Sequence, residues 1–303
     1  MLNITLKSWL HAARLRTLPL ASASIILGSA LAYSEGIFAW PVLLLALLTA
    51  LLLQILSNLA NDYGDAVSGV DDDTRVGPAR AIQAGLLTKQ QMFRAITLVA
   101  LLAVLSGIAL LAVSLGSNPQ AWLGFIALGG LSIVAAMAYT MGSRPYGYRG
   151  FGDISVFLFF GLLGVMGSYY LHTQSLSWPV MMIAAANGLL ATAVLNINNL
   201  RDFSPDKAAG KLTLAVRLGE RNARRYHLVL VALALLLFAS FIIWQSSANF
   251  AWLCLLPALV LMKVTKTVML ARQHQLLDKQ LQLTAKLSFF IALLFSLGLQ
   301  FQY

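Results

Sequence analysis

Two groups of asparagine and aspartate residues end two long apolar stretches of the chain, and their spacing could support metal chemistry. The first group is Asn61, Asp62 and Asp65, and the second is Asn198, Asp202 and Asp206. Spacings of three and four residues place side chains on one face of a helix or of its last turn. Their oxygen atoms suit Mg2+, which commonly bridges one or two carboxylates to a substrate phosphate. The sequence therefore predicts two acidic surfaces that hold Mg2+ against an anionic substrate.

The alternative is that these aspartates only cap helix ends and neutralise neighbouring arginines. The dipole at the C-terminal end of a helix repels carboxylates, so capping explains the positions poorly. A carboxylate at the centre of a bilayer also costs about 2.5 to 3.5 kcal/mol. A bound cation would offset both unfavourable effects, so metal binding is the favoured interpretation. We assign it to Asp62, Asp65, Asp202 and Asp206.

The composition is typical of a membrane protein. Of the 303 residues, 59% are hydrophobic and 11% are charged, and the mean hydropathy is +0.78, which is outside the range of water-soluble domains. Apolar stretches of about 20 residues can cross a bilayer. We expect an all-α fold of one domain, residues 1–303, with nine transmembrane helices in a single bundle. The predicted spans are 17–34, 41–61, 93–115, 121–141, 152–172, 178–199, 226–244, 249–270 and 283–302.

The basic residues predict the orientation, because they gather in cytoplasmic loops. All 21 lysines and arginines lie before the first span, in alternate loops or in the parts of the spans that adjoin those loops, and ten of the eleven acids share that side. This pattern predicts a cytoplasmic N-terminus and a site that faces the cytoplasm, formed by the loops at about 62–92 and 200–225. The net charge of +10 is then an orientation signal and an affinity for the lipid bilayer. No nucleic-acid binding is expected.

Cations in the same cytoplasmic loops complement the acidic groups, because arginine and lysine bind diphosphate oxygens. For each of them the alternative is a role in orientation alone. We favour diphosphate binding for Arg80, Arg144, Lys207 and Lys211. The other cations of these loops that we considered are Arg75, Arg201 and Arg217.

At these residues the chain resembles the UbiA-type intramembrane prenyltransferases. Asn61 and Asp65 match the first two positions of the family's Asn-x3-Asp-x3-Asp motif, whereas Gly69 stands at the third. Among the following Asp71, Asp72 and Asp73, we expect Asp71 to replace the missing ligand. Further similarities are Arg80 with Gly85, the Tyr139–Arg144 stretch, and the second acidic motif at Asp202 and Asp206.

Finer motifs are similar to the branch of the family that prenylates 1,4-dihydroxy-2-naphthoate in menaquinone synthesis. They include Arg14-Leu-Arg-Thr-Leu-Pro19, Asn58–Asp65, Arg144-Pro-Tyr-Gly-Tyr148, Gly152-Asp153, Asn196–Asp202, Gly210-Lys-Leu-Thr213 and Arg217-Leu-Gly219. The resemblance implies Mg2+-dependent transfer of a polyprenyl group from polyprenyl diphosphate to the naphthoate, with loss of CO2. The products would be demethylmenaquinol and diphosphate. It also implies a multi-pass protein of the bacterial cytoplasmic (inner) membrane.

Residue chemistry and resemblance together assign the site. The expected catalytic residues are Asp65, Asp202, Asp206 and Arg144. The expected diphosphate-binding residues are Asn61, Arg80, Arg144, Asn198, Lys207 and Lys211. The expected metal ligands are Asp62, Asp65, Asp71, Asp202 and Asp206. Tyr139, Tyr146, Tyr148 and Arg149 are candidates for the acceptor pocket, although an interfacial tyrosine belt is an equal alternative.

Three other functions compete with this assignment. A sibling enzyme could prenylate 4-hydroxybenzoate or another aromatic acceptor. A phosphatidyl-alcohol synthase would need a clustered Asp-Gly-x2-Ala-Arg signature that the sequence lacks. A membrane cation carrier would place ionisable groups along a path through both faces, whereas the outward half of this chain is almost uncharged.

Overall fold

A computed structural model describes residues 6–69, 80–245 and 249–301. Within these ranges the chain forms helices and turns without a strand, and nine helices are long and apolar enough to cross a membrane. The predicted all-α membrane fold is confirmed. The α-helices are α1 (Leu6–Ala13), α2 (Leu18–Ser34), α3 (Trp40–Ser68), α4 (Lys89–Ser114), α5 (Pro119–Ala138), α6 (Gly152–Val156), α7 (Gly167–Thr173), α8 (Trp178–Arg201), α9 (Phe203–Ala208), α10 (Leu214–Leu218), α11 (Glu220–Trp244), α12 (Leu255–Leu270) and α13 (Leu276–Gly298).

Local sequence explains where several of these helices begin and end. Pro41 lies in the first turn of α3, where its missing N–H needs no partner. Gly69 ends the same helix with a φ of 70°, a conformation that glycine adopts without steric cost. Thr88 and Gln91 form a reciprocal capping box at the start of α4. Because α3 continues to Ser68, the first acidic group lies on its last turns and not in the loop predicted at about 62–92.

The helix α8 lies at the centre of the bundle and has the largest buried share of the nine spans, whereas α5 has the smallest. It packs against α11, α13 and a π-helical segment, Phe157–Met166, that joins α6 to α7. The acidic groups stand where α3 and α8 finish, at one end of the bundle, which we call the acidic end. The central position of α8 explains how its last residues reach several other helices.

Close backbone contacts hold the middle of the bundle together. A Cβ atom at Gly161 would lie 2.8 Å from the Cα of Gly188 on α8, so no larger side chain fits between these two segments. A Cβ atom at Gly28 on α2 would likewise overlap the Ser168 hydroxyl and the Val165 carbonyl oxygen, which both belong to the fifth span. Small residues permit this approach, as in other helix pairs within lipid.

The Gly28→Ala variant should lower the free energy of unfolding by about 2 kcal/mol, because overpacking of a close contact costs about 1 to 3 kcal/mol. Its new methyl group would overlap Ser168 Oγ and the Val165 carbonyl oxygen. The midpoint of thermal unfolding in detergent micelles would measure the effect. Gly124→Ala is the control, because a Cβ atom there meets only open space among the described residues. Equal midpoints for the two variants would contradict the prediction.

Candidate functional site

Asp65 is a buried carboxylate at the acidic end with three side-chain partners. Its residue is 1% exposed, and its carboxylate pairs with the Arg80 guanidinium and accepts a hydrogen bond from the Tyr148 hydroxyl. The Nζ of Lys211 lies 3.2 Å from its Oδ1. Burial raises the pKa of Tyr148, so the phenol stays protonated and donates. Two cations and one hydroxyl therefore converge on this carboxylate.

Lys211 connects the two acidic groups. Besides its contact with Asp65, its Nζ lies 3.8 Å from the Oδ1 of Asp206. The same nitrogen is 4.5 Å from the centre of the Tyr148 ring, within the range of a cation–π interaction. The backbone N–H of Lys211 also donates to the Asp206 carbonyl over 2.8 Å. The side chains from α3 and from the segment after α8 are thus brought together around one ammonium group.

Asp202 follows the last residue of α8 and is 6% exposed. Its Oδ1 accepts from Arg201 Nε over 3.0 Å, and its Oδ2 accepts from Arg201 Nη2 over 2.6 Å. The same Nη2 donates to the Oδ1 of Asn198 over 2.9 Å. Arg201 therefore orients two of the predicted site residues at once.

A cavity of about 670 Å3 begins between these residues and runs into the bundle. At the acidic end it is lined by Asn61, Asp65, Asn198, Asp202, Asp206 and Lys211. Its deeper walls are mostly apolar and reach Ala46, Phe125 and Leu171. Ala46 and Asp65 both belong to α3, nineteen residues apart, which corresponds to a depth of about 28 Å at 1.5 Å per residue. The cavity suits a molecule with an anionic head and a long apolar chain.

Three tyrosines form part of the cavity wall beside the acidic groups. The rings of Tyr139 and Tyr146 meet edge to face, with centroids 5.3 Å apart. The Tyr146 hydroxyl lies 2.9 Å from both the Ala135 carbonyl oxygen and the Ser155 hydroxyl. Burial raises the pKa of Tyr139 and of Tyr146, so both rings remain neutral. Together with Tyr148 they provide an aromatic surface at the mouth of the cavity.

The structure does not bring every predicted residue to the cavity. Arg144, Arg149 and Lys207 are exposed and lie outside the cavity lining. Asp62 also lies outside the lining, and its Oδ2 accepts from the Ala81 N–H over 2.9 Å. Asp62 therefore contacts the segment that carries Arg80, and its assignment as a metal ligand stays a prediction. Asp71, Asp72, Asp73 and Arg75 lie outside the described residues.

Several residues at the acidic end were given no role from the sequence. The Thr140 hydroxyl donates to the Asn61 side-chain oxygen or to the Ala60 carbonyl oxygen, each 3.1 Å away. Thr140 follows Tyr139 in the stretch that resembles a family motif, and this position could have indicated a role for it. Arg14 also lines the cavity, with a φ of 49°. Asp278 contacts Arg201 over 2.7 Å, and nothing in the sequence connects these two positions.

The oxygen atoms of this site have the chemistry that a hard cation requires. Asp65, Asp202 and Asp206 supply carboxylates, and Asn61 and Asn198 supply amide oxygens, all of which suit Mg2+. Across the described ranges, no three carboxylate, histidine or cysteine side chains are grouped closely enough to form a metal site from protein ligands alone. The donor set fits a metal that also takes ligands from a bound phosphate.

Comparison with known proteins gives a consistent family match. Residues 21–294 match the UbiA prenyltransferase family profile. The chain is 51% identical to a 1,4-dihydroxy-2-naphthoate octaprenyltransferase of Escherichia coli over 97% of this chain and 95% of that protein. It is 45% identical to the protein of the same name from Haemophilus influenzae, over 99% and 97% of the two chains.

Solved structures share the fold at low sequence identity. A UbiA homolog from Aeropyrum pernix has a TM-score of 0.69 at 17% identity and covers 91% of this chain and 96% of its own. A UbiA homolog from Archaeoglobus fulgidus, bound to GPP and Mg2+, has a TM-score of 0.60 at 16% identity, over 95% and 99% of the two chains. At these identities the similarity shows a shared fold, that is, a shared arrangement of the helices.

Proposed function

Since this chain belongs to the UbiA prenyltransferase family, we propose that it transfers a polyprenyl group to 1,4-dihydroxy-2-naphthoate with loss of CO2. The donor is a polyprenyl diphosphate, and the products are demethylmenaquinol and diphosphate. The observation that carries this proposal is the cavity of about 670 Å3, which is apolar in depth and has charged groups at its acidic end. The names of the relatives at 51% and 45% identity support the naphthoate as the acceptor.

The diphosphate binds at the acidic end, where Arg80 and Lys211 supply positive charge. Both cations contact Asp65 in the structure, so they are already held at the mouth of the cavity. Asp65, Asp202 and Asp206 would hold Mg2+, which when bound would withdraw charge from the diphosphate leaving group. The prenyl chain lies along the apolar walls, which exclude water from the allylic carbon.

The acceptor binds against the aromatic surface formed by Tyr139, Tyr146 and Tyr148. The allylic C–O bond breaks, and the diphosphate leaves with the electron pair. The ring carbon that bears the carboxylate then forms the new C–C bond. The carboxyl group departs as CO2, and its bonding electrons restore the aromatic ring.

The other predicted site residues differ in whether they line the cavity or lie exposed outside it. Asn61 and Asn198 line the cavity and contribute amide groups to diphosphate binding. Arg144 and Lys207, which are exposed in the structure, attract the anionic substrates toward the mouth. Arg149 receives no role. The acidic end faces the cytoplasm of a bacterial inner membrane in this proposal, because the basic residues lie in the loops at that end.

A cation carrier is disfavoured by the distribution of charge along the cavity. Its charged lining residues are Arg14, Asp65, Arg80, Asp202, Asp206 and Lys211. They lie at the acidic end, and the deeper lining among the described residues carries no charge. A transport path would need polar groups through both faces of the membrane.

The proposed reaction predicts that the carboxyl carbon of the acceptor is released in step with prenylation. Membranes containing the protein would receive carboxyl-labelled 1,4-dihydroxy-2-naphthoate and a polyprenyl diphosphate. Labelled CO2 and prenylated naphthoquinol should form in equal amounts, and omission of the donor should abolish both. Prenylated product that keeps the label, or turnover with 4-hydroxybenzoate alone, would overturn the proposed acceptor.

A further inference from the structure

Arg201 is a buried cation that contacts two cavity-lining residues on the side that faces away from the cavity. It is 1% exposed and is absent from the cavity lining. Its guanidinium holds both oxygens of Asp202 and the side-chain oxygen of Asn198. Both partners line the cavity. A planar guanidinium with two parallel hydrogen bonds fixes the plane of the carboxylate that it binds.

The other side of Arg201 meets the last transmembrane helix. Its Nη1 donates to the Oδ1 of Asp278 over 2.7 Å, and Asp278 lies in the first turn of α13. Gln282, one turn further along, donates to the second oxygen of Asp278 over 2.9 Å. Arg16 lies 3.6 Å from Asp278. Asp278 itself does not line the cavity.

The charges of this cluster bear directly on metal binding. An arginine beside Asp202 repels a divalent cation that binds the same carboxylate. The negative charge of Asp278, on the opposite side of the guanidinium, offsets that repulsion. A ligand oriented by a charged partner outside the metal's own contacts is a common arrangement, and loss of such a partner typically weakens metal affinity about 10-fold to 100-fold.

We propose that Arg201 and Asp278 are positioning residues for the reaction. Arg201 fixes the orientations of Asp202 and Asn198, and Asp278 neutralises Arg201 so that Asp202 is able to share Mg2+ with the diphosphate. This inference rests on the proposed function, because it requires that Asp202 binds the metal. Neither residue touches a substrate.

A purely structural ion pair would have different consequences, and the chain contains one for comparison. Glu220 Oε1 lies 2.5 Å from Arg224 Nη2 and 3.3 Å from His274 Nε2. This cluster also ties α11 to the segment before α13, but none of its three residues lines the cavity. Its loss should affect folding alone.

The test compares Asp278→Asn with Glu220→Gln in the purified full-length protein. An asparagine at 278 keeps an oxygen that accepts from Arg201, so the change removes charge with little loss of shape. The thermal unfolding midpoint would be followed while Mg2+ is titrated at a fixed concentration of inorganic pyrophosphate. Half-maximal stabilisation of Asp278→Asn should need about tenfold more Mg2+ than the wild type. Glu220→Gln should need the same amount as the wild type.

Turnover provides the second readout. For Asp278→Asn, the Mg2+ concentration for half-maximal rate should rise about tenfold, whereas kcat at saturating Mg2+ and the KM for the acceptor should change less than twofold. Arg201→Lys keeps the charge but loses the paired hydrogen bonds. It should lower kcat about tenfold even at saturating Mg2+, because Asp202 is no longer held in one plane.

The possible results separate the two proposals. If pyrophosphate and Mg2+ fail to stabilise the wild type, the proposed function fails and this inference fails with it. If the wild type responds and Asp278→Asn responds at the same Mg2+ concentration, only the inference is overturned. A lower unfolding midpoint with an unchanged Mg2+ requirement would assign the pair a purely structural role and would also overturn it.

Discussion

Asp65→Asn should reduce turnover at least about a thousandfold while the protein remains folded. The substitution keeps the shape of the side chain but removes the negative charge that faces Arg80 and Lys211. In the proposed reaction that charge holds Mg2+ against the departing diphosphate. A loss of about 4 kcal/mol in transition-state stabilisation corresponds to a factor of about one thousand. Single-turnover rates with saturating polyprenyl diphosphate and Mg2+ would measure it.

Glu35→Gln is the matched control for that variant. It makes the same carboxylate-to-amide change at the opposite end of the bundle, where Glu35 Oε2 accepts a hydrogen bond from the Tyr169 hydroxyl over 2.6 Å. Its turnover should stay within about twofold of the wild type. An Asp65→Asn protein with a normal unfolding midpoint and more than one tenth of wild-type turnover would remove Asp65 from the proposed metal site.

Removal of divalent cations should abolish prenyl transfer, to below about one thousandth of the initial rate. The acidic end offers carboxylate and amide oxygens to such an ion, and a metal that polarises phosphate oxygens supplies several kcal/mol of stabilisation in the transition state. Prenylated product would be quantified after treatment with EDTA and again after addition of Mg2+. The second measurement should recover the original rate.

EDTA already saturated with Mg2+ is the control for that experiment, because it tests the chelator without removing metal. Free inorganic diphosphate should inhibit competitively against the donor, since both occupy the acidic end in the proposed reaction. Undiminished turnover in a preparation shown by elemental analysis to contain less than one tenth of an equivalent of divalent metal would refute the proposed use of Mg2+.

The cations show why some site assignments could not be made from the sequence. Arg80, Arg144, Lys207 and Lys211 were equally plausible from charge and loop position. Arg80 and Lys211 reach Asp65 and line the cavity, whereas Arg144 and Lys207 are exposed. Long basic side chains have many rotamers, and their direction depends on how the loops fold back onto the helix ends. Spacing along the chain contains little of that information.

Asp62 and Asp278 illustrate the same limit for acids. Asp62 shares a helix end with Asp65 but accepts a hydrogen bond from the Ala81 backbone N–H, whereas Asp65 contacts Arg80 and Lys211. From the sequence, Asp278 is one of several charged residues in a predicted cytoplasmic loop. In the structure its Oδ1 lies 2.7 Å from the Nη1 of Arg201, which is 77 residues earlier in the chain. Contacts between distant segments depend on helix packing, which hydropathy does not encode.

The all-α membrane fold, the nine spans and the two acidic groups at helix ends followed from the amino-acid sequence. Each depends on local properties, since a bilayer demands long apolar helices and helical spacing sets which side chains share a face. The pairing of Asp65 with Lys211, the contact of Arg201 with Asp278, and the depth of the cavity followed from the packing of α3, α8 and α13. These features depend on how helices rotate and approach one another, and close contacts such as that between Gly161 and Gly188 determine that approach.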